Sequence, residues 1–463
     1  MIVEKAVNFL DDRLGSAHFT TKAIRKVFPD HWSFMLGEIC MYAFIVLLVT
    51  GTYIAFFFDD STHPVVYPGP YLSLVGRTVP AAYASVMKLS FVIPDGLLIR
   101  QMHHWACLVF ITAIGLHMSR IFFTGAFRKP RELNWVFGLT LLVLGLAAGF
   151  TGYSMPGDLL SGAGLRIAYS VAESIPVIGT WLAFGYFGGD FPTAVMTQRL
   201  FITHVFLIPL LIVGVMSGHL GMVWRQHHTQ FVGPERTNEN VVGSALIPAY
   251  AMKSVGLMIA TFAIIAFMGG FFTINPIWIY GPFDPWTVIS PAAPDWYVAW
   301  LDGFLRLGPS WAIVLWGHTI PPLFFSAVIP PAIVFGLLYT WPWIEKRFTP
   351  NDHADHHLLN KPFDVPWRLG AGVAMITFLT VAGVTSSDDV MAKYLHIHVE
   401  TLMPVLRGCI LVLPVAFGLI AVSIGRELKA RFNSDAGLKQ VRRAILVRNA
   451  DGGYDEEAQH TLA

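Results

Sequence analysis

The sequence predicts an all-α, polytopic membrane protein that crosses the bilayer eight times. Of its 463 residues, 54% are hydrophobic and only 13% are charged, whereas roughly 25% are charged in soluble globular domains. A helix needs about 20 apolar residues to cross the hydrocarbon layer. Eight stretches meet this requirement, near residues 35–58, 98–122, 134–152, 198–224, 253–275, 312–340, 369–386 and 403–425.

The basic residues between these stretches predict the orientation of the chain. Eight spans place both termini on one side, and the connections on that side carry Lys22, Arg25, Lys26, Arg128, Lys129, Arg131, Arg225, Arg236, Arg426, Lys429 and Arg431. Positive residues mark the cytoplasmic side, so we expect both termini in the cytoplasm. With a net charge of +1 and basic residues at span ends rather than on one face, the chain lacks the features of a nucleic-acid binder.

The remaining connections are expected to face outward. They comprise residues 59–97, 153–197, 276–311 and 387–402. Their length exceeds what a turn between helices requires, which indicates a site or a docking surface.

Two further features concern the sixth span and the end of the chain. The sixth span contains Pro321, Pro322, Pro330 and Pro331, which are expected to kink or break it.

We predict three units: an amino-terminal four-helix bundle over residues 1–230, four further helices over residues 231–426, and a polar tail over residues 427–463. The tail is expected to be a partly disordered cytoplasmic extension.

Four histidines on two spans carry the strongest functional signal. His103 and His117 lie on the second span, and His204 and His219 lie on the fourth. Polar side chains at bilayer depth are costly and need partners. Intervals of 14 and 15 residues return to nearly the same helix face and correspond to roughly 21 and 22 Å along the axis. Two haems stacked across the membrane fit this geometry, each with imidazole on both axial faces as in a low-spin electron carrier.

Orientation predicts which histidines share a haem. The second and fourth spans both begin outside, so His103 and His204 would hold an outer b-type haem, and His117 and His219 an inner one. His104 stands 13 residues from His117, on the opposite helix face, and is rejected as a ligand. An isolated intramembrane histidine such as His318 is better interpreted as a satisfied core side chain.

Glycine and arginine residues support the two haem levels. The first and third spans repeat the 14-residue interval with Gly37, Gly51, Gly138 and Gly152, where a missing side chain would let a flat macrocycle approach the backbone. Plain helix packing is the alternative. Arg100 and Arg120 would pair with haem propionates, the alternative being headgroup contact.

Several motifs resemble cytochrome b of the cytochrome bc complexes. They are RQMHHWACLVFITAIGLHMSR, RLFITHVFLIPLLIVGVMSGHL, the glycine pairs, and PDWY at residues 294–297. The likeness covers nearly all eight helices and implies the di-haem subunit of a respiratory quinol:cytochrome c oxidoreductase. The stretch NDHADHHLLNKPFDVPWR is similar to the actinobacterial branch, which implies a bacterial plasma membrane and menaquinol as substrate.

The resemblance places an outer quinol-oxidation site at the PDWY motif. Pro294, Asp295, Trp296 and Tyr297 would belong to it, together with GYSMPGD after the third span. Asp295 would act as a general base for a proton of the quinol, with Tyr297 as a second catalytic residue. The family more often has PEWY, so the shorter Asp295 would need an extra water in its proton route. A helix cap is the alternative for Asp295.

The inner quinone-reduction site departs from the family pattern. The segment IPAYAMKSVG is similar to one that supplies a Lys–Asp pair, but here the residues are Lys253 and Ser254. His227 or His228 would replace or assist the missing acid, unless both are solvated loop histidines. Met35 stands where plastid relatives carry a cysteine for an additional haem, so no third haem is expected.

Three further histidines suggest a metal cluster only superficially. His353, His356 and His357 occur with Asp352 and Asp355 in one cytoplasmic loop. Solvated surface is the favoured interpretation, because the loop offers no fixed scaffold.

The mechanism implied by the resemblance is bifurcated electron transfer coupled to proton translocation. One electron of quinol goes to a Rieske iron–sulfur protein, and the other passes through the outer and inner haems to quinone. A cytochrome c subunit, a terminal oxidase and a second copy in a homodimer are the further implied partners. The alternatives are a di-haem membrane anchor of a quinone-linked dehydrogenase, which has fewer spans and no PDWY, and a transporter, which the broken sixth helix would favour.

Overall fold

The computed structural model describes residues 9, 11–13, 15, 24–287, 294–437, 443–448 and 454–459; Lys22 lies outside them. Within this part, eight helices are long and apolar enough to cross a membrane, which confirms the predicted number and the all-α class. They are Trp32–Ala55, Gly96–Phe123, Glu132–Ser154, Met196–Gln226, Leu246–Phe271, Phe324–Arg347, Pro366–Thr385 and the first part of Val399–Gly437. We refer to them as the first to eighth spans.

Helices satisfy every backbone group internally, which the bilayer demands of lipid-exposed segments. The outer connections add short helices at Ala81–Phe91, Leu159–Glu173, Gly179–Phe187, Ile277–Tyr280, Trp296–Leu307 and Asp388–Leu395. Small two-stranded sheets pair Val27–Phe28 with Ser244–Ala245, Pro64–Val66 with Thr78–Pro80, Gln230–Phe231 with Leu358–Leu359, and Ile313–Leu315 with His318–Ile320.

The first four spans share one apolar core with the fifth span and the PDWY helix. Ala43 and Ala106 are fully buried and Phe110 is nearly so, and Ile265 and Tyr297 join the same cluster. Many other apolar side chains of the spans are exposed, as lipid-facing residues must be, because lipid tails are as apolar as leucine.

Two spans contain a π turn shortly before a proline. The turns are Thr203–Leu207 and Phe324–Val328, and they are followed by Pro209 and Pro330. Proline has no N–H, and its ring clashes with the carbonyl four residues earlier. A wider turn relieves that clash.

The predicted sixth span began too early. Residues 313–320 form a hairpin instead of a helix, with Trp316 and Gly317 at φ 49° and 77° in its tip. Two residues of positive φ are typical of tight hairpin turns, and Pro321 and Pro322 then delay the helix until Phe324. His318 is exposed on this hairpin, so its interpretation as a core side chain was wrong.

The tail that was predicted to be partly disordered contains regular structure in its described parts. The last helix continues to Gly437, and Glu427 pairs with Arg431 one turn away. Beyond it, Arg443–Arg448 and Tyr454–Gln459 pair as antiparallel strands. Oppositely charged residues four apart favour a helix, so the polar composition did not end it. Residues 449–453 and 460–463 lie outside the described part.

Candidate functional site

The outer histidines of the second and fourth spans face each other. The ring centroids of His103 and His204 are 6.2 Å apart. A metal–imidazole bond is about 2 Å long, so two rings on opposite sides of one metal have centroids about 6 Å apart. The Nδ1 atom of His103 lies 2.9 Å from Oγ1 of Thr50, and that of His204 lies 3.0 Å from the Ala148 carbonyl. These contacts occupy Nδ1 and leave Nε2 of each ring as the metal-binding atom.

A π turn explains how a 15-residue interval serves the same purpose as a 14-residue one. His204 lies within the π turn Thr203–Leu207. Such a turn contains one residue more than an α-helical turn. The interval from His204 to His219 therefore covers the same number of turns as that from His103 to His117.

Each glycine of the 14-residue pairs faces one of the four imidazoles. A Cβ atom on Gly152 would lie 2.5 Å from Cε1 of His204, and one on Gly51 would lie 3.0 Å from Cε1 of His103. At the inner level the corresponding distances are 3.3 Å from Gly37 to His117 and 3.4 Å from Gly138 to His219. The first span thus makes room for the histidines of the second, and the third span for those of the fourth.

The inner histidines line a cavity of 470 Å³ between the same spans. His117 and His219 contribute to it, together with Arg120. Among the described residues, Nδ1 of His117 has no hydrogen-bond partner, and neither do Nε and Nη2 of Arg120. The Arg120 guanidinium lies 4.2 Å from the ring centroid of Phe34. Buried polar atoms without partners are rare and indicate a group that the chain is built to receive.

Arg100 occupies the matching place at the outer level. It is only 9% exposed, which does not fit contact with lipid headgroups. Its Nη2 donates to the Asn275 carbonyl over 3.0 Å, while Nε has no partner among the described residues. Two buried guanidinium groups, one per level, would suit the propionates of two haems. The residues present therefore fit two b-type haems.

The outer cavity unites the histidine pair with the PDWY motif. It has a volume of 210 Å³, and its lining includes His103, His204, His104, Asp295 and Tyr297. Asp295 stands at the N-cap position of the helix Trp296–Leu307, but its side chain makes no cap hydrogen bond. Instead a carboxylate oxygen lies 3.0 Å from Nε2 of His104. The helix-cap alternative therefore does not describe this side chain.

His104 is the residue that the sequence reasoning missed at this site. Its position 13 residues from His117, on the opposite helix face, excluded it as a haem ligand. The same position directs it toward Asp295. The two adjacent histidines were the available indication in the sequence. Assigning a role to His104 required knowing that Asp295 packs against this part of the second span.

The other predicted outer residues differ in their placement. The Tyr297 phenol is buried, and burial raises the pKa of Tyr297, so it remains a hydrogen-bond donor. Trp296 is 54% exposed, and neither it nor Pro294 lines the outer cavity. From GYSMPGD, Tyr153 lines the cavity. Asp158 is fully buried and accepts hydrogen bonds from the N–H groups of Leu160 and Ser161.

Two carboxylates from other parts of the chain contact Lys253 and Ser254. Asp30 accepts a hydrogen bond from Nζ of Lys253 over 2.7 Å, and the bonds from Lys253 and Ser244 lower the pKa of Asp30. Ser254 donates to Oε2 of Glu38 over 2.6 Å. Lys253 itself lies outside the inner cavity lining.

The two histidines after the fourth span have different surroundings. Both line the inner cavity, but His227 is exposed and His228 is half-buried. Burial, reinforced by Lys26 and Arg131, lowers the pKa of His228 to about 4. His228 is therefore neutral at physiological pH, and only partly fits the alternative of a solvated loop histidine.

Two of the histidines near residue 355 have side-chain partners, one within the same loop and one at the start of the third span. His356 Nε2 lies 2.8 Å from Asp352 Oδ2, and Arg131 Nη2 lies 2.9 Å from His357 Nδ1. His353 is exposed, whereas His356 and His357 are half-buried. Within the described ranges, no group of three or more candidate side chains is placed to hold a metal ion.

Fold and site together define an integral membrane protein whose amino-terminal helices carry paired histidines at two depths. The family model of cytochrome b(N-terminal)/b6/petB matches residues 108–282. The chain is 44% identical to the cytochrome bc1 complex cytochrome b subunit of Mycobacterium leprae, covering 99% of this chain and 81% of that one. It is 41% identical to that of Streptomyces coelicolor, covering 99% and 85%. The chain belongs to the family of cytochrome b subunits of cytochrome bc1 complexes.

This membership confirms the predicted family and its actinobacterial character, and members of the cytochrome b family normally bind haem. A solved structure, a hyperthermophilic respiratory Complex III, matches with a TM-score of 0.63 at 18% identity. It covers 90% of this chain and 100% of that chain. At this identity the match supports the fold alone.

Proposed function

We propose that this chain is the catalytic membrane subunit of a quinol:cytochrome c oxidoreductase that oxidises menaquinol outside and reduces quinone inside. The observation that carries the proposal is the shared outer cavity, in which the Asp295 carboxylate lies beside the pair His103 and His204. A proton acceptor and an electron-acceptor site within one cavity are what quinol oxidation requires.

At the outer site, the chain's own groups handle the proton. Quinol oxidation releases two protons, and the Asp295 carboxylate accepts one of them as a general base. His104 holds that carboxylate at the cavity wall. Tyr297, buried and protonated, donates a hydrogen bond to the quinol oxygen. The short aspartate leaves space for a water between carboxylate and substrate.

At the two histidine levels, the chain holds the redox cofactors. His103 and His204 would hold the outer b haem, and His117 and His219 would hold the inner one. The glycines leave space for the imidazoles, and the guanidinium groups of Arg100 and Arg120 on the second span would neutralise the propionates. When bound, the haems would carry electrons from the outer cavity to the inner cavity.

The inner cavity is the place of quinone reduction, with His227 in its lining and Lys253 outside that lining, paired with Asp30. Protons are released outside and taken up inside, so the reaction translocates charge across the plasma membrane, with both termini cytoplasmic. A Rieske iron–sulfur protein accepts the first electron and passes it to a cytochrome c subunit. The assembly is a homodimer that delivers its electrons to a terminal oxidase.

The test is the quinol:cytochrome c reductase activity of the whole complex carrying Asp295→Asn or His204→Ala. Loss of a general base lowers rates by about 10²-fold or more, so Asp295→Asn should slow turnover while the haem spectrum stays intact. His204→Ala should remove the outer b-haem signal. Asp190→Asn, an exposed carboxylate of an outer connection, is the matched control. Unchanged activity in both site variants would leave the proposal without support.

A further inference from the structure

Four polar side chains of the first and fifth spans meet at the wall of the inner cavity. The Glu38 carboxylate accepts hydrogen bonds from Tyr250 at one oxygen and from Ser254 and Tyr42 at the other, the last two over 2.6 and 3.0 Å. Tyr42 and Ser254 are also 2.5 Å apart. The carboxylate is therefore surrounded by three hydroxyl groups.

Glu38 is placed where a substrate in the cavity would meet it. It follows Gly37, which faces the imidazole of His117. Glu38, Tyr250 and Ser254 all line the cavity that contains His117 and His219. Among the described residues of that lining, Glu38 is the only carboxylate.

Among the described residues, no cationic side chain forms an ion pair or hydrogen bond with this carboxylate. The titratable and charged groups that line the same cavity are His117, Arg120, Arg131, His219, His227, His228 and Tyr250. Lys253 is paired with Asp30 over 2.7 Å instead of with Glu38. Glu38 lies in the first turn of a membrane span and lines the cavity without an ion-pair partner among the described residues, which indicates a functional role.

The hydroxyl partners suit a group that changes its protonation state. A hydroxyl group donates to a carboxylate and can turn to accept from a carboxylic acid. Tyr42, Tyr250 and Ser254 can therefore satisfy Glu38 in both forms without movement of the helices. A cation in their place would hold only the ionised form.

We propose that Glu38 is the proton-exchanging acid of the inner quinone site, an inference that rests on the function proposed above. Quinone gains two electrons from the proposed path and two protons to become quinol. One of these protons passes from the Glu38 carboxyl group to the nearer quinone oxygen, and the other reaches the second oxygen from cytoplasmic water. The carboxylate then takes a proton from cytoplasmic water, which reaches the cavity at its exposed rim beside His227.

The test is re-oxidation of the b haems by quinone in the whole detergent-solubilised complex. The haems are first reduced chemically, 2,3-dimethyl-1,4-naphthoquinone is added, and the b-haem absorbance is followed by stopped flow. Glu38→Gln preserves the shape and most hydrogen bonds but cannot release a proton. It should slow re-oxidation by about 10²-fold. Glu132→Gln, at the cytoplasmic end of the third span and outside the cavity lining, should not.

A second variant distinguishes proton exchange from a purely structural contact between the first and fifth spans. Because Ser254 Oγ lies 2.6 Å from the Glu38 carboxylate, a carboxylate at position 254 would reach the same place. Glu38→Gln combined with Ser254→Asp should therefore recover the rate to within about 10-fold of wild type. A contact that only holds the two spans together would be maintained in the Glu38→Gln variant. The double variant would weaken such a contact further.

The outcomes distinguish this inference from the proposed function. Wild-type complex without reducible b haems, or without re-oxidation by the naphthoquinone, would refute the function itself. Normal wild-type behaviour with an equally fast Glu38→Gln variant would overturn only the role of Glu38, as would slow re-oxidation that Ser254→Asp does not restore. If Glu38→Gln fails to assemble, Glu38→Asp decides: it should retain the wild-type pH dependence of re-oxidation, and loss of that dependence would overturn the role.

Discussion

Nε2 of His104 lies 3.0 Å from a carboxylate oxygen of Asp295, which joins the second span to the start of the PDWY helix. The preceding residue, His103, faces His204 across the bundle. Two consecutive histidines thus point in different directions from one helix, about 100° apart. A proton site and a cofactor site are brought into one cavity by adjacent residues of the second span.

This contact predicts a loss of catalytic efficiency in His104→Ala. A hydrogen bond to a charged group is worth about 1.5–3 kcal/mol, so kcat/KM for quinol should fall by about 10-fold or more while both b-haem signals remain. His104→Gln, whose amide nitrogen reaches toward the place of Nε2, should lose less. Steady-state kinetics of the complex measure this, with the exposed His318→Ala as control. Haem loss in His104→Ala would contradict the assignment.

The glycine distances predict a graded series of alanine variants. A Cβ at Gly152 would lie 2.5 Å from the His204 ring, at Gly51 3.0 Å from His103, and at Gly138 3.4 Å from His219. Close-packed interiors relax only partly, so Gly152→Ala should lose most outer haem, Gly51→Ala less, and Gly138→Ala should keep the inner haem.

Redox difference spectra and haem content per complex measure this series. Gly214→Ala is the matched control, since Gly214 lies on the fourth span and its Cβ would meet nothing within 4 Å. Equal haem loss in Gly214→Ala and Gly152→Ala would show that any added methyl group disturbs the bundle.

His228 predicts a stability that falls in acid. Burial and the neighbouring Lys26 and Arg131 lower the pKa of His228 to about 4, below its usual 6.5. The unfolded chain therefore binds the proton first, and stability present above about pH 6.5 is lost as the pH falls toward 4. Each unit of difference is worth at most about 1.4 kcal/mol.

Thermal unfolding of the complex between pH 4 and 8 measures this effect. His228→Asn should flatten the decline, because the titrating group is gone. His227→Asn, at the exposed neighbouring position, should retain it. An unchanged slope in His228→Asn would assign the acid sensitivity to other groups.

The ion pair of Asp30 and Lys253 predicts rescue by charge exchange. Their side chains are 39% and 51% exposed, and exposed pairs contribute about 0.2–1 kcal/mol. Asp30→Lys and Lys253→Asp should each lower the thermal stability of the complex, and the double variant should recover part of it. The coupling should weaken at high salt. Additive effects of the two changes would argue against a significant pair.

Much of the architecture follows from local features of the sequence. Hydropathy predicted eight spans, and the intervals of His103, His117, His204 and His219 predicted two levels that the structure brings together. Both depend on properties that repeat along one helix, namely apolar length and turn angle. The wrong prediction of a helix at residues 313–320 also comes from relying on apolar length. An apolar stretch is equally compatible with a hairpin, and only the turn at Trp316 and Gly317 distinguishes the two.

Only the tertiary structure decided which groups serve the proton sites. Asp295 meets His104 across 191 residues, and Ser254 meets Glu38 across 216. No regular spacing along the sequence predicts either contact, because each depends on which helix faces pack together. The sequence by itself determined where the chain crosses the membrane and which histidines share a level. Packing of the spans determined which carboxylates reach those levels, because a side chain acts on whatever lies within a few ångströms, regardless of its distance along the chain.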